Sequence, residues 1–315
     1  MRGLLIVNPR ATTTEAGAAD LVMRSLAGVV DLDVEHTRYR GHARDLGAAA
    51  LAGADLVLVM GGDGALNEAV NGVMAASGSG DATGSTRSRP PPVGVIPGGG
   101  GNVFAKAMGL PLDTAGAVSR IRQAIEAERY RTIGLGMAGD RYFMFTADLG
   151  LDAAVVREVD HLRAKGSRES AALYLRTFVR QYYSNQDRRV PALTAELDGQ
   201  PPIADLFLAI VTNRSPWTYL GGRALLPVPD PDFNSGLDLL ALRRLRVGTI
   251  LNAVGQMLWV RNRPVRGRHL LSEAGRDALA IRSARPIAFQ VDGEYLGETR
   301  AVDFRFVPRA LRVVV

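Results

Sequence analysis

The chain has 315 residues, enough for two domains of ordinary size rather than one enlarged core. With 47% hydrophobic and 22% charged residues it has the make-up of a folded globular protein, which excludes a disordered class for the bulk of the chain. The lack of cysteine excludes a disulfide scaffold and thiolate metal sites, and the net charge of +6 favours anionic partners: nucleotides, nucleic acid or an anionic membrane surface.

Leu4–Val7 is a short apolar run closed by the turn pair Asn8-Pro9. It is shorter than the roughly 7–15 residues of a signal-peptide core, so it reads as a first buried strand. No window reaches the roughly 18 apolar residues of a membrane span, and the expectation is a cytoplasmic protein. Helical spacing over Glu15–Leu26 precedes a strand over Val30–Thr37 and an alanine-rich helix over His42–Ala52. Asp55–Met60 is a continuous apolar strand ended by Gly61-Gly62-Asp63-Gly64, after which helical spacing resumes over Ala65–Met74. Ser77–Pro92, rich in Gly, Ser, Thr and Pro, reads as a surface loop. Val93–Ile96 is another buried strand, again closed by glycines, and Thr114–Arg129 sets Val118, Ile121 and Ile125 on one helical face. Strands alternating with helices in this way indicate βαβ units and a parallel sheet.

The pattern changes near Tyr130. A hairpin is expected over Tyr130–Met137, Gly139-Asp140 and Arg141–Leu149. Strands are expected over Ala192–Leu197, Leu206–Val211, Leu237–Leu242, Ala278–Ile281, Ile287–Val291 and Ala301–Phe306. Turns rich in Gly, Pro and Asp between them suggest an antiparallel β domain, interrupted by one long helix over Val155–Tyr183 and another over Val247–Val260. The expected organisation is a Rossmann-like three-layer α/β domain over residues 1–131 and a β-sandwich over 132–297. A C-terminal strand segment, 298–315, is expected to return to the first domain.

Two loops carry the signals of chemistry. Strand, Gly61-Gly62-Asp63-Gly64, helix is a phosphate-binding arrangement, because glycines admit an anion to the backbone and a helix start directs N–H groups at it. The same letters also make a tight strand-to-helix turn capped by Asp63. Asp63, being negative, is a candidate for holding magnesium or its waters, or for anchoring the loop through backbone N–H groups. Pro97-Gly98-Gly99-Gly100-Gly101-Asn102 repeats the arrangement ahead of Val103-Phe104-Ala105-Lys106, and four successive glycines are an entropically costly connector. Neither loop is a Walker A motif, since no Lys-Ser or Lys-Thr follows the glycines.

These motifs, in this order, resemble the diacylglycerol kinase catalytic-domain family, which includes sphingosine and ceramide kinases. The residues are Ile6-Val7-Asn8-Pro9, then Gly61-Gly62-Asp63-Gly64-Ala65-Leu66-Asn67-Glu68 with Asn71-Gly72, then Pro97 to Ala105, and lastly Val291-Asp292-Gly293-Glu294. Thr37 ahead of Gly41-His42-Ala43, and Phe143 to Ala154 with Gly150-Leu151-Asp152-Ala153, extend the likeness along essentially the whole chain. The resemblance implies an ATP- and magnesium-dependent kinase with its active site in the cleft between the domains. The acceptor would be a lipid hydroxyl, that of diacylglycerol above all, met at the inner face of the membrane by peripheral contact. By that pattern Asn8, Thr37, Gly61, Gly62, Asp63, Gly64, Ala65, Asn67, Gly98, Gly99, Gly100 and Asn102 would hold ATP. Glu294 would take the proton of the lipid hydroxyl, and Asp63 would serve both catalysis and the metal. Asp292-Gly293 is at the same time a favoured hairpin pair.

The chain departs from the family at three places. Ala65 stands where a Thr is usual, Gly100 where Thr or Ser is usual, and Ser235 where many members place an acid beside a structural magnesium site. Asp232 and Leu237 would belong to that second site, which a neutral Ser235 oxygen weakens. These departures keep open a regulatory nucleotide-binding protein with weakened catalysis, and the GGDG loop is also shared with NAD kinases. The four histidines, His36, His42, His161 and His269, have no metal spacing; His42 is placed to touch a nucleotide base or to cap its helix. Arginines 176, 180, 188 and 189 among Tyr174, Tyr182 and Tyr183 suit a solvated helix face that meets anionic headgroups, and no nucleic-acid module is present. Met257-Leu258-Trp259-Val260 followed by Arg261, Arg263, Arg266 and Arg268 is the most membrane-like stretch, with core burial the expectation for Trp259 itself. Trp217 and Tyr219 are divided between core packing and a lipid cleft. A homodimer is compatible with all of these readings.

Overall fold

The computed structural model describes residues 1–11, 17–78, 89–167, 170–184, 190–213, 215–220, 222–229, 232–259 and 263–315. Glu15, Arg188, Arg189, Gly221, Val260, Arg261 and most of the loop expected over Ser77–Pro92 lie outside the described residues. The chain divides into two units: Met1–Ile133 with Arg309–Val315, and Gly134–Pro308.

The first unit is built on β1 (Arg2–Val7), α1 (Ala18–Leu26), β2 (Asp31–His36), α2 (His42–Ala49), β3 (Leu56–Gly61), α3 (Asp63–Gly78), β4 (Val93–Pro97), α4 (Val103–Ala107) and α5 (Thr114–Glu126). The strands run parallel in the order β2-β1-β3-β4, and beyond β4 the chain's last residues add a further parallel strand through Val313 beside Val93. Every residue of β3 is buried, as a central strand covered on both faces requires. Leu56, Leu58 and Met60 pack with Leu5, Val22, Leu26, Val118 and Ile121, which places α1 and α5 on one face. Val57 and Val59 point the other way and are equally buried. On that side α3 contacts β3 and packs closely on α2. The closeness of the two helices rests on glycine: a methyl group at Gly72 would meet the Arg44 carbonyl oxygen at 1.9 Å, and one at Gly47 that of Ala69 at 2.4 Å.

In the second unit follow the inner part of β5 (Tyr130–Ala138), β6 (Arg141–Phe143), β7 (Thr146–Gly150), α6 (Leu151–Ala164), α7 (Ala171–Ser184), β8 (Leu193–Leu197), β9 (Ile203–Leu206) and β10 (Leu208–Thr212). β11 (Thr218–Leu220), β12 (Arg223–Leu225), β13 (Leu237–Leu242), α8 (Val247–Trp259), β14 (Leu270–Arg276), β15 (Ala278–Val291) and β16 (Glu294–Val314) complete the chain. The long strand β15 pairs with β8 along its first half and with β7 along its last, so one continuous sheet folds into two layers. Phe143, Leu149, Leu193, Val211, Leu239, Ile281 and Phe304 fill the space between the layers. β10 and β13 alternate cleanly: Ala209, Val211, Leu239 and Ala241 face this core, while Leu208, Ile210, Leu240 and Leu242 face α7 and α8. Because both faces are covered, these strands read as unbroken apolar runs.

Several expected elements differ. The long helix over Val155–Tyr183 is two, α6 and α7, parted after Ala164, where Gly166 has a φ of 95° that no helix continues through. The strands expected at Ala278–Ile281 and Ile287–Val291 are one strand, with its pairing to β16 shifted between Arg282 and Ile287, around Pro286. The strand expected over Leu206–Val211 begins at Leu208, and Leu206 closes β9. Only Arg141–Phe143 pairs with β5 in the hairpin expected near Tyr130; Thr146–Gly150 leaves to join β10 and β15. β14 and the β11–β12 pair have no counterpart in the sequence reading.

Candidate functional site

The parallel order β2-β1-β3-β4 makes a switch point between β1 and β3, where successive connections depart to opposite sides, and ligands of open α/β sheets gather at the carboxyl ends of strands there. The predicted residues of the first unit converge on that edge. Asn8 N–H donates to the Met60 carbonyl at 2.9 Å, and Thr37 N–H donates to that of Val7 at 2.8 Å. A methyl group at Gly61 would lie 3.2 Å from the Cβ atoms of both Asn8 and Ala65, so the end of β1, the end of β3 and the start of α3 meet at one spot.

The two glycine loops touch each other. Gly98 N–H donates to the Gly61 carbonyl at 2.9 Å. A methyl group at Gly99 would sit 2.7 Å from the Gly62 Cα, a distance that side chains do not tolerate. Asn102, at φ 48°, folds the second loop on itself: its Oδ1 accepts from Gly99 N–H at 3.0 Å and its Nδ2 donates to the Gly99 carbonyl at 2.7 Å. Lys106 Nζ donates to the Gly101 carbonyl at 2.6 Å.

Asp63 is the tie between them. Its Oδ2 accepts from Val103 N–H at 2.9 Å and its Oδ1 from Phe104 N–H at 3.0 Å, so the carboxylate caps α4 from across the site. The N–H groups that open α4 are thereby taken, and the helix start available to a phosphate chain is that of α3. At Gly64, in its first turn, an added methyl group would meet nothing within 4 Å. A polyphosphate fits this arrangement: closely approachable backbone, the positive end of a helix of 16 residues, and no side chain over Gly64. Magnesium fits as an ion that takes its oxygens from phosphate and water with Asp63 as a protein carboxylate nearby. Among the described residues no three carboxylates or histidines gather into a metal cage.

Asn67, one turn into α3, is fully buried and accepts from Asn71 Nδ2 at its carbonyl (2.9 Å) and its Oδ1 (3.1 Å). Glu68, one residue on, accepts from Gly41 N–H at 2.9 Å and pins the loop that leads into α2. His42 Nδ1 accepts from Arg38 N–H at 3.2 Å, which is a local cap. Gly100 is exposed at the loop tip.

In the second unit Asp292 and Gly293, at φ 46° and 78°, form the two-residue turn between β15 and β16, with Val291 opposite Glu294. The buried Asp292 carboxylate accepts from the N–H groups of Met144, Phe145 and Thr146 at 2.7, 3.0 and 3.0 Å, which holds the turn against the start of β7. Glu294 follows, largely buried, and pairs with Arg141. Arg141 was out of reach of sequence reasoning, because 153 residues separate the partners.

A second group missed by the sequence lies between β7, α6 and β15. Asp148 is fully buried; its Oδ1 accepts from the Thr146 hydroxyl at 2.6 Å and its Oδ2 from Gln290 Nε2 at 2.5 Å and Trp217 Nε1 at 3.1 Å. Burial pushes the Asp148 carboxyl well above the usual carboxylate range, and the neighbouring Asp152 adds to that rise. Asp152 is itself raised, again by burial first. Trp217 thus belongs to a polar network as well as to the core. Asp232 and Ser235 bond each other, Asp232 Oδ1 also accepts from Asn234 N–H at 3.1 Å, and the Leu237 side chain is in the sandwich core.

The model of the diacylglycerol kinase catalytic domain matches residues 2–132. A diacylglycerol kinase of Bacillus subtilis is 27% identical over 259 residues, 79% of this chain and 74% of that protein. The crystal structure of a diacylglycerol kinase from Bacillus anthracis superposes with a TM-score of 0.68 at 18% identity, covering 99% of this chain and 96% of that one. An NAD kinase from Archaeoglobus fulgidus, solved in complex with ATP, follows at a TM-score of 0.53 and 12% identity, over 100% of this chain and 94% of that one.

Proposed function

We propose that this chain, which belongs to the diacylglycerol kinase catalytic-domain family, moves the γ-phosphate of ATP to the hydroxyl of a lipid, diacylglycerol giving phosphatidic acid. The observation that carries the reading is the backbone contact of the two glycine loops, Gly62 against Gly99, at the carboxyl ends of β3 and β4. Loops that close are an unusual investment for plain connectors, and they suit a chain of phosphates.

In the transfer, the lipid oxygen bonds to the γ-phosphorus, the bond from that phosphorus to the bridging oxygen of ADP breaks, and the hydroxyl proton passes to a base. Glu294 is the proposed base, and Arg141 orients it. Gly61, Gly62, Gly64, Gly98 and Gly99 line the proposed phosphate track, with Asn8, Thr37, Ala65, Gly100 and Asn102 around it; Asn67 supports α3 from within. Bound magnesium supplies charge neutralisation on the phosphates. The kinase works on a lipid presented at a membrane surface, and among the described residues no helix is long and apolar enough to cross one.

The test is ATP-dependent phosphate transfer to diacylglycerol, sphingosine, ceramide and phosphatidylglycerol in micelles, with NAD as a soluble control. A labelled lipid that is lost in Glu294→Gln, while ATP binding persists, supports the reading. Labelled NAD in place of lipid overturns it. A second reading, a nucleotide-binding regulator, is favoured by Ala65, which brings a methyl group to the edge where the relatives usually carry a hydroxyl. ATP binding with no turnover in either the wild type or Ala65→Thr would select that reading.

A further inference from the structure

Two helices of the second unit leave apolar side chains in water on the faces turned away from their core. On α7, Leu175, Val179 and Tyr183 are 66%, 47% and 64% exposed, and steps of four residues align them in one stripe. On α8, Val247, Leu251 and Trp259 form the same kind of stripe, 49%, 65% and 73% exposed. The core burial expected for Trp259 is therefore overturned: Ala253 and Met257 are the α8 residues that face inward. Phe178 and Tyr182 of α7 enter the same cluster, and the Tyr182 hydroxyl donates to the Leu245 carbonyl just ahead of α8 at 3.0 Å. The two helices thus cover one core cluster, each turning its stripe away from it. The hairpin of β11 and β12, in contact with α8, adds Leu220, 49% exposed.

The charge beside these stripes is predominantly positive, with Glu158 of α6 3.4 Å from Arg180 as its counter-charge. Arg176 and Arg180 flank the α7 stripe, and α7 contains no Asp or Glu. Residues 239–272, which include α8, hold seven arginines and no acidic residue. Exposed arginines 246, 263, 266 and 268 stand at the two ends of α8. Scattered apolar residues on a surface mean little, but two such stripes with a tryptophan at a helix end, set in a surface where arginines predominate, match interfacial helices. A symmetric contact with a second copy would set this arginine field against itself.

We propose that the outward face of α7 and α8 is a membrane-docking surface whose occupant is an anionic phospholipid bilayer. The choice of a lipid surface rests on the lipid-kinase reading. Apolar side chains enter the headgroup boundary while the arginines meet lipid phosphates, so binding needs anionic lipid and weakens with salt.

The experiment is sedimentation of the full chain with vesicles of phosphatidylglycerol and phosphatidylcholine, against phosphatidylcholine alone. The wild type is expected on the anionic vesicles only, with release as salt rises to about 0.5 M. The double variant Leu251→Ser, Trp259→Ser is expected to lose at least about tenfold in vesicle affinity, since two large apolar groups leave the interface. It should keep the wild-type melting temperature and the wild-type rate on a short-chain diacylglycerol in free solution. Arg176→Glu should weaken binding from the other helix. A wild type that ignores anionic vesicles, or a double variant that binds as well as wild type, overturns the proposal. So does a wild-type dimer that the double variant dissociates, which would give the face to a second copy. Vesicle binding as expected without phosphorylation of any lipid would fell the kinase reading and leave the docking surface standing.

Discussion

Asp63 stands among glycines that suggest anion binding, yet both its oxygens are spent on the N–H groups of Val103 and Phe104. Removing it strands two buried donors, each costing about 1–3 kcal/mol. Asp63→Ala is therefore expected to lower the urea midpoint and to weaken ATP binding together, because the second loop loses its tie. Loss of turnover with stability unchanged would instead make Asp63 a metal ligand only. Asp148 carries a different prediction. Its folded pKa is raised, so the protonated form is held more tightly in the folded state than in the unfolded chain. That contribution is full below the ordinary value of 3.8 and is lost as pH rises through the folded value. Asp148→Asn, which cannot ionise, is expected to flatten the fall in stability that denaturant titration shows as pH rises above the ordinary carboxylate range. An unchanged slope would mean that other groups set it.

At the scale of elements, α3 does two jobs with two glycines. Gly72 lets α2 approach, and a methyl group there would collide with the Arg44 carbonyl and come within 2.8 Å of Ala48 N. Gly72→Ala is expected to cost roughly 1–3 kcal/mol or more, read as a lower melting temperature. Gly64, in open space at the other end of the same helix, predicts the opposite. Gly64→Ala should leave stability unchanged or raise it by a few tenths to about 1 kcal/mol, while ATP affinity falls because the methyl group occupies the phosphate track. Equal ATP affinity in Gly64→Ala would remove that position from the proposed track.

For the whole molecule, the chain enters the second unit after Ile133 and returns at Arg309. The return has structural weight, since Leu311, Val313 and Val314 are buried and Val313 pairs with Val93 at the edge of the first sheet. A chain ending at Pro308 is expected to lose cooperative unfolding of the first unit while the sandwich core still protects its amides in hydrogen exchange. Protection kept in β3 and β4 would show that the last strand is dispensable.

What the sequence by itself determined is much of what local chemistry governs, though the break at Gly166 between α6 and α7 escaped it. Apolar runs ended by glycines announced β3 and β4 and the loops after them, and period-3.6 faces announced α1 and α5, because strand, turn and helix preferences act over a few residues. The Asp292-Gly293 turn was legible for the same reason. Only the tertiary structure decided which groups meet. Asp63 reaching α4, Arg141 reaching Glu294, and Trp217 and Gln290 reaching the buried Asp148 join residues through sheet order and register, which no short window encodes. Trp259 shows the limit most plainly: its helix was evident, but which face turns to the core depends on the sheet beneath it. A helix with apolar residues on more than one face and its arginines at the ends has no unique inside until a partner layer is present.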